Sequence, residues 1–225
     1  MFRTLHDHLF RRLPLLNWIA VACAFCLAVL AGRLELSGRT SFVFLSWNLL
    51  LALLPPVFAW AAQGLSRTRL KPLALLTLVP WLLFLPNAPY ILTDLLHLKH
   101  RAPVPLWYDL LMLLSFALTG LFMGYLSLRD AERTLRAFVG HGWARAGIVA
   151  SLFLSAFGIY LGRFLRWNSW DVLTDPYALA LDVVRPVLHP FRYDHVWLMT
   201  GLLGVLLVSG YHLVRGVGAE EQVDR

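Results

Sequence analysis

Residues 71–94 read KPLALLTLVPWLLFLPNAPYILTD, a charge-free run closed by Lys71 and Asp94. It is too long and too apolar for a surface helix, yet Pro80 bends it and Pro86-Asn87-Ala88-Pro89 interrupts it. The 14 residues before Pro86 make about 21 Å of helix, against roughly 30 Å of hydrocarbon in a bilayer. A short membrane span followed by a second short helix at the membrane boundary is therefore expected here.

Five other stretches contain no Asp, Glu, Lys or Arg: 13–32, 40–66, 110–128, 146–162 and 195–214. All 33 charges of the 225-residue chain fall outside these six runs, and 59% of the chain is hydrophobic against 15% charged. Soluble domains carry about 25% charge. A soluble enzyme, a nucleic-acid-binding domain and a disordered chain are excluded. No run alternates with period two, so helices are favoured over a barrel. The expected fold is all-α, a polytopic transmembrane helical bundle with about six spans and short interfacial helices on its outer face. The spans are read as about 14–32, 42–62, 71–86, 107–128, 145–165 and 196–214, in one integral membrane domain covering 1–225.

Twelve Lys and Arg fall in the segments on the N-terminal side of the membrane and eight in the opposite loops. The positive-inside rule then puts both termini in the cytoplasm of a bacterial inner membrane. Most of the basic excess sets topology and meets anionic lipid, so a nucleic-acid partner is not expected. Arg11-Arg12 before an apolar run, with Val29-Leu30-Ala31 beyond, resembles a signal peptide. The run is 20 residues long, more than a signal sequence needs, and an uncleaved first span is expected. Cys23 and Cys26 lie mid-span and read as small core residues rather than a redox pair.

Small residues form ladders in two spans: Gly120 and Gly124 in the fourth, Gly158 and Gly162 in the fifth. Such ladders admit close backbone approach, so these two spans are expected to pack together, within one chain in preference to a homodimer. Pro55-Pro56 should kink the second span.

Polar residues cluster at three places on the outer side. On a helix over 89–98, Asn87, Tyr90, Thr93, Asp94, His97 and Arg101 fall within about 120°. Asp94 and His97 are one turn apart, a spacing that suits an acid/base pair or two metal ligands; a full metal set would need His100, His189 or His195 to join. Asp109 begins the fourth span and would complement a helix N-terminus. After the fifth span comes Arg163-Phe-Leu-Arg166-Trp167-Asn168-Ser169-Trp170-Asp171. If that helix continues, Arg163, Trp167 and Asp171 share a face. Asp175-Pro176 reads as the cap and first residue of a short helix ending before Pro186; His189, Asp194 and His195 complete the loop and read as a solvated connector.

Taken together, Phe84 to His97, Trp107-Tyr-Asp109 and Leu165-Arg-Trp-Asn-Ser-Trp-Asp171 resemble a bacterial family of predicted membrane proteins, domain of unknown function 1361, over roughly 30–215. The resemblance implies a multi-span inner-membrane protein and assigns no activity and no catalytic residue.

Three functions follow from the residues. The outward cluster could be a site, with Asp94, His97 and Asp171 as catalytic candidates and Asp94 and His97 as weak metal candidates. Asn87, Tyr90, Asp109, Arg163, Arg166 and Asn168 would then bind a lipid headgroup or small ligand. Alternatively the clusters are ion pairs, for instance Arg166 with Asp171 or Asp94, locking the helix ends in a structural or assembly role beside a membrane-protein partner. Transport is third, because no ionisable group sits mid-span and no inverted repeat is visible. Enzyme activity and cofactor stay open.

Overall fold

In a computed structural model, the backbone of residues 2–223 and the side chains of residues 13–216 are described; Arg3, Arg11, Arg12 and Arg225, counted above for orientation, lie outside the described side chains. Apart from one isolated bridge between Arg101 and Val104, the elements among the described residues are helical. Five of these helical stretches are long and apolar enough to cross a membrane: Leu13–Ser37, Phe44–Ser66, Lys71–His97, Leu106–Phe164 and Asp194–Gly216. The chain divides into two compact units, Met1–Phe138 and Val139–Arg225.

The first unit starts with α1 (Phe2–Ser37). α2 (Phe44–Ala52) and α3 (Leu54–Ser66) together fill the expected second span. They part at Leu53, just before Pro55 and Pro56, which sit in the first turn of α3 where a missing N–H leaves no broken bond. The expected kink is thus an interruption between two short helices. α4 (Lys71–Phe84) carries Pro80 inside it.

The Pro-Asn-Ala-Pro segment does less damage than its composition suggests. Leu85 and Pro86 keep right-handed helical dihedrals, and Tyr90 N–H still donates to the Pro86 carbonyl at 2.9 Å. One turn, α5 (Asn87–Tyr90), leads directly into a 3-10 helix over Ile91–His97. A 3-10 helix has three residues per turn, so positions i and i+3 eclipse. Asp94 therefore lines up with Ile91 and His97, not on a separate polar side. Both Asp94 and Ile91 are buried. The expected amphipathic helix over 89–98 with a solvated polar face is replaced by a wound-tight segment packed into the core.

Its seat is the glycine ladder. A Cβ on Gly120 would stand 2.6 Å from the Ala88 carbonyl oxygen, and one on Gly124 would stand 3.2 Å from the Ala88 methyl. The close approach predicted for this ladder is real, and its occupant within the first unit is α5. Nearby, the Trp81 indole donates to Ser127 Oγ at 3.1 Å, tying α4 to the same helix.

That helix, α6 (Leu106–Phe164), runs for 59 residues as two helical segments joined across a kink. A straight helix of that length would reach about 88 Å, nearly three bilayer cores. At Gly140, φ 79° and ψ 176° break it in a region essentially reserved for glycine. The fourth and fifth expected spans are the two segments on either side of this break. The first runs past the expected end at 128, and there Glu132 pairs with Arg136 and Asp130 with Arg133 at 3.5 Å.

In the second unit, α6 ends at Phe164 and is followed by α7 (Asp171–Thr174), α8 (Pro176–Leu188) and α9 (Asp194–Val223). Asp175 caps α8 as expected, accepting from Ala178 N–H at 3.2 Å. The helix nonetheless passes Pro186 and closes at Leu188. A Cβ on Gly204 of α9 would lie 2.4 Å from the Phe153 ring, so the ring of α6 packs directly on the α9 backbone there.

Gly120→Ala should destabilise the protein by about 1–3 kcal/mol, because the new methyl meets backbone oxygen that cannot swing aside. Gly142→Ala, with nothing within 4 Å of its Cβ, should be neutral or better. Thermal melts of the two variants in detergent check this ordering.

Candidate functional site

The polar groups of the first unit gather where α1 finishes and α6 begins. Arg33 and Asp109 are separated by 76 positions in sequence and have no solvent-accessible surface. Arg33 Nε donates to Asp109 Oδ1 at 3.1 Å and Nη2 to Oδ2 at 3.5 Å, while Nη1 donates to Ser37 Oγ at 2.9 Å. This forked geometry meets both carboxylate oxygens at once and is the arrangement in which a guanidinium is held best. Asp109 does more than complement a helix N-terminus: it neutralises a buried cation.

The surrounding contacts build the same joint. The Tyr108 hydroxyl donates to the Val29 carbonyl at 2.9 Å. It fits there because Gly32 has no side chain; a Cβ would come within 2.8 Å of that hydroxyl. One turn deeper, Cys26 Sγ lies 3.5 Å from Thr119 Oγ1. Both cysteines are free thiols, and Cys26 belongs to the buried core with Phe42, Leu45, Met112 and Phe116. That agrees with their reading as small core residues.

Phe42, fully buried, is flanked by two cations. The guanidinium carbons of Arg33 and Arg101 each lie 4.8 Å from its ring centroid. Such contacts are worth about 1–2 kcal/mol where water is displaced. Arg33 is neutralised by Asp109. The Nη1 of Arg101 is buried and makes no hydrogen bond among the described residues.

The second carboxylate, Asp94, accepts from Asn48 Nδ2 at 2.9 Å, a bond from α2 to the 3-10 helix. His97, one 3-10 turn on, stands edge-on to Phe44 of α2 at 5.4 Å. Asp94 and His97 thus both face α2. Asn87 bonds back to the Phe84 carbonyl at 2.9 Å, and Thr93 to the Tyr90 carbonyl at 2.6 Å, so both serve the local backbone. Tyr90 is half-buried, and His100 is exposed.

In the second unit the chain departs from the shared face expected for Arg163, Trp167 and Asp171. Arg166 adopts a left-handed φ of 64°, and Trp167 N–H reaches back to the Leu161 carbonyl at 3.2 Å. This closes the helix with arginine in the left-handed position where glycine is usual. Arg163 stays on the last turn of α6, half-buried, and Arg166 is exposed. Beyond the cap, Asp171 Oδ2 accepts from the Asn168 backbone N–H at 2.7 Å and from its side chain at 3.2 Å, and Oδ1 accepts from Thr174 at 3.0 Å. The Asn168 backbone bond, with the Thr174 and Asn168 side-chain bonds behind it, holds the Asp171 carboxyl below its ordinary value of 3.8. Asp171 is therefore a turn-former bonded to its neighbours, and Arg166 is not among its hydrogen-bond partners. Asp194 and His195 form an exposed pair at 3.6 Å. His189 is exposed as well.

Among the described residues, no three His, Cys, Asp or Glu side chains gather at metal-ligand spacing. The polar end of the first unit is organised instead by Arg33 and Asn48, neither of which sequence reasoning singled out as functional. Arg33 closes the first charge-free run and Asn48 is one of two amides, with Gln63, within the second. A charge or amide at such a place is costly unless partnered, and that cost was the available signal.

A family model described as protein of unknown function (DUF1361) matches residues 47–209, well over half of the chain. The chain belongs to this family. Its matched region holds Asn48, Asp94, Asp109 and the Asn168–Asp171 turn, whereas Arg33 and Phe42 precede it. No curated protein and no solved structure matches the chain.

Replacing either member of the buried pair alone, as Arg33→Met or Asp109→Leu, should destabilise by about 3–5 kcal/mol, since a charge is stranded. The double variant should recover most of the loss. Unfolding of the four proteins in mixed micelles gives the coupling; additive losses would show that the two residues do not act as a pair.

Proposed function

We propose that this chain is a multi-pass protein of the bacterial inner membrane with both termini in the cytoplasm, and that its outward polar cluster serves a structural or assembly role. The observation that carries this reading is the Arg33–Asp109 pair, closed on both oxygens and sealed from solvent. An acid/base or metal site needs a carboxylate that substrate or ion can reach. Asp109 is committed to Arg33, Asp94 is buried against Asn48, and Asp171 is consumed by its own turn. The cluster holds α1, α2, the 3-10 helix and the start of α6 in one arrangement at one membrane level, which gives a partner protein a fixed surface.

A second reading has one specific observation in its favour. Among the described residues, Arg101 presents a buried guanidinium nitrogen, Nη1, that meets no acceptor. A phosphate of a lipid headgroup has the right charge and acceptor geometry for it.

Native mass spectrometry and metal analysis of the detergent-purified protein separate the readings. The structural reading expects no stoichiometric metal or small ligand in wild type, and an Asp94→Ala variant that is less stable but otherwise unchanged. A metal or ligand that is bound by wild type and lost in folded Asp94→Ala would overturn it. A phospholipid lost only in Arg101→Gln would establish the second reading.

The orientation is testable separately. A periplasmically active reporter fused after Arg101 should be active, and one fused after Arg67 should not. A reversed pattern would place the cluster on the cytoplasmic side.

A further inference from the structure

Between the end of α6 and the start of α9 the sequence led to a short helix followed by a solvated stretch at His189, Asp194 and His195, and that helix, α8, is not built for water. At 100° per residue, Tyr177, Ala180, Val184, Val187 and Leu188 fall within about 100° of one another. All five are exposed. The polar groups of α8 are drawn to the other sides. Asp182 Oδ2 accepts from the Trp167 indole at 2.9 Å, and Arg185 lies 3.7 Å from Asp182. The Pro186 carbonyl, whose helix position frees it from an ordinary partner, accepts from the Trp197 indole at 3.0 Å. α8 is thereby fastened by one side to residues that follow α6 and begin α9, and its uncharged stripe faces away from the protein. The stripe continues at both ends into Leu173, 84% exposed, and Phe191, 96% exposed.

We propose that this stripe lies in the leaflet at which the connector emerges, so that α8 is an interfacial helix embedded between lipid and protein rather than a solvated loop. The occupant is phospholipid for three reasons. Six residues separate Phe164 from Asp171 and five separate Leu188 from Asp194, which keeps α8 near the ends of two apolar helices of spanning length. The stripe is continuous in character with the exposed apolar face of α9, where Leu198, Leu202 and Leu206 stand clear of the protein. Finally, Trp167, Trp170, Tyr177, Tyr193 and Trp197 are of the type that concentrates at the lipid–water boundary, and Arg185 flanks the stripe where a side chain can reach a phosphate. In water such a stripe would be a contiguous exposed apolar patch on a short tethered helix.

This inference rests on the membrane-spanning reading above, and its test keeps the two apart. In a Cys23→Ala/Cys26→Ala background, nitroxide labels are placed one at a time by Val184→Cys, Val187→Cys and Leu188→Cys, and on α9 by Leu202→Cys. The full chain is reconstituted in nanodiscs of phosphatidylethanolamine and phosphatidylglycerol, and collision with oxygen is compared with collision with a water-soluble nickel chelate. All four side chains are exposed, so the substitutions remove little packing; elution as for wild type checks the fold of each. Oxygen should exceed the nickel chelate several-fold at the three α8 positions and at Leu202. Nickel access at α8 with oxygen dominant at Leu202 overturns the inference alone. Low access to both reagents at α8 assigns the stripe to a second copy or another protein and also overturns it. Nickel access at Leu202 would defeat the membrane reading itself.

Discussion

Arg33 and Asp109 meet fully buried, at the point where the first long apolar helix ends and α6 starts. In such surroundings an isolated charge is prohibitive and a matched pair is tolerable only with its remaining donors satisfied. Ser37 takes one donor, and the Phe42 ring covers the guanidinium face. The first unit therefore has little freedom in how α1 stands against α6: sliding either by a turn would strand both charges. The Tyr108–Val29 bond through the gap left by Gly32 fixes the same register independently.

That register places the rest of the polar end. With α6 held, its Gly120–Gly124 groove receives α5, and α5 carries the 3-10 helix with it. Asp94 is thereby turned toward α2, where Asn48 meets it. The tighter winding decides which residues travel together. In an α-helix Asp94 would ride with Tyr90 and Arg101 on a wetted side, whereas in a 3-10 helix it rides with buried Ile91. A difference of about 20° per residue separates a candidate active site from a buried contact.

The second unit uses a different device. Arg166 in the left-handed region stops α6 abruptly, and the released segment folds into a pair of short helices secured by two tryptophan indoles, Trp167 and Trp197. The aromatic residues that a composition argument would assign wholly to an interface belt also serve as hydrogen-bond donors holding α8. Their dual character, apolar ring with a polar edge, suits a boundary position for both reasons.

Charge exclusion alone determined that this chain is helical and apolar over long runs, because an unpaired charge or backbone group in hydrocarbon costs several kcal/mol and the pattern is written residue by residue. Local chemistry likewise revealed the break at Pro55-Pro56, the cap at Asp175 and the close approach at Gly120. What lies in that approach, which cation meets Asp109, and which way Asp94 faces were decided only by the tertiary structure. Those are pairings between residues 32 to 76 positions apart, and a single sequence carries the need for a partner at each such residue but not its address. Gly140 shows the same division: its presence in a long helical run was visible, but its unusual φ and ψ follow from what the chain on either side must do.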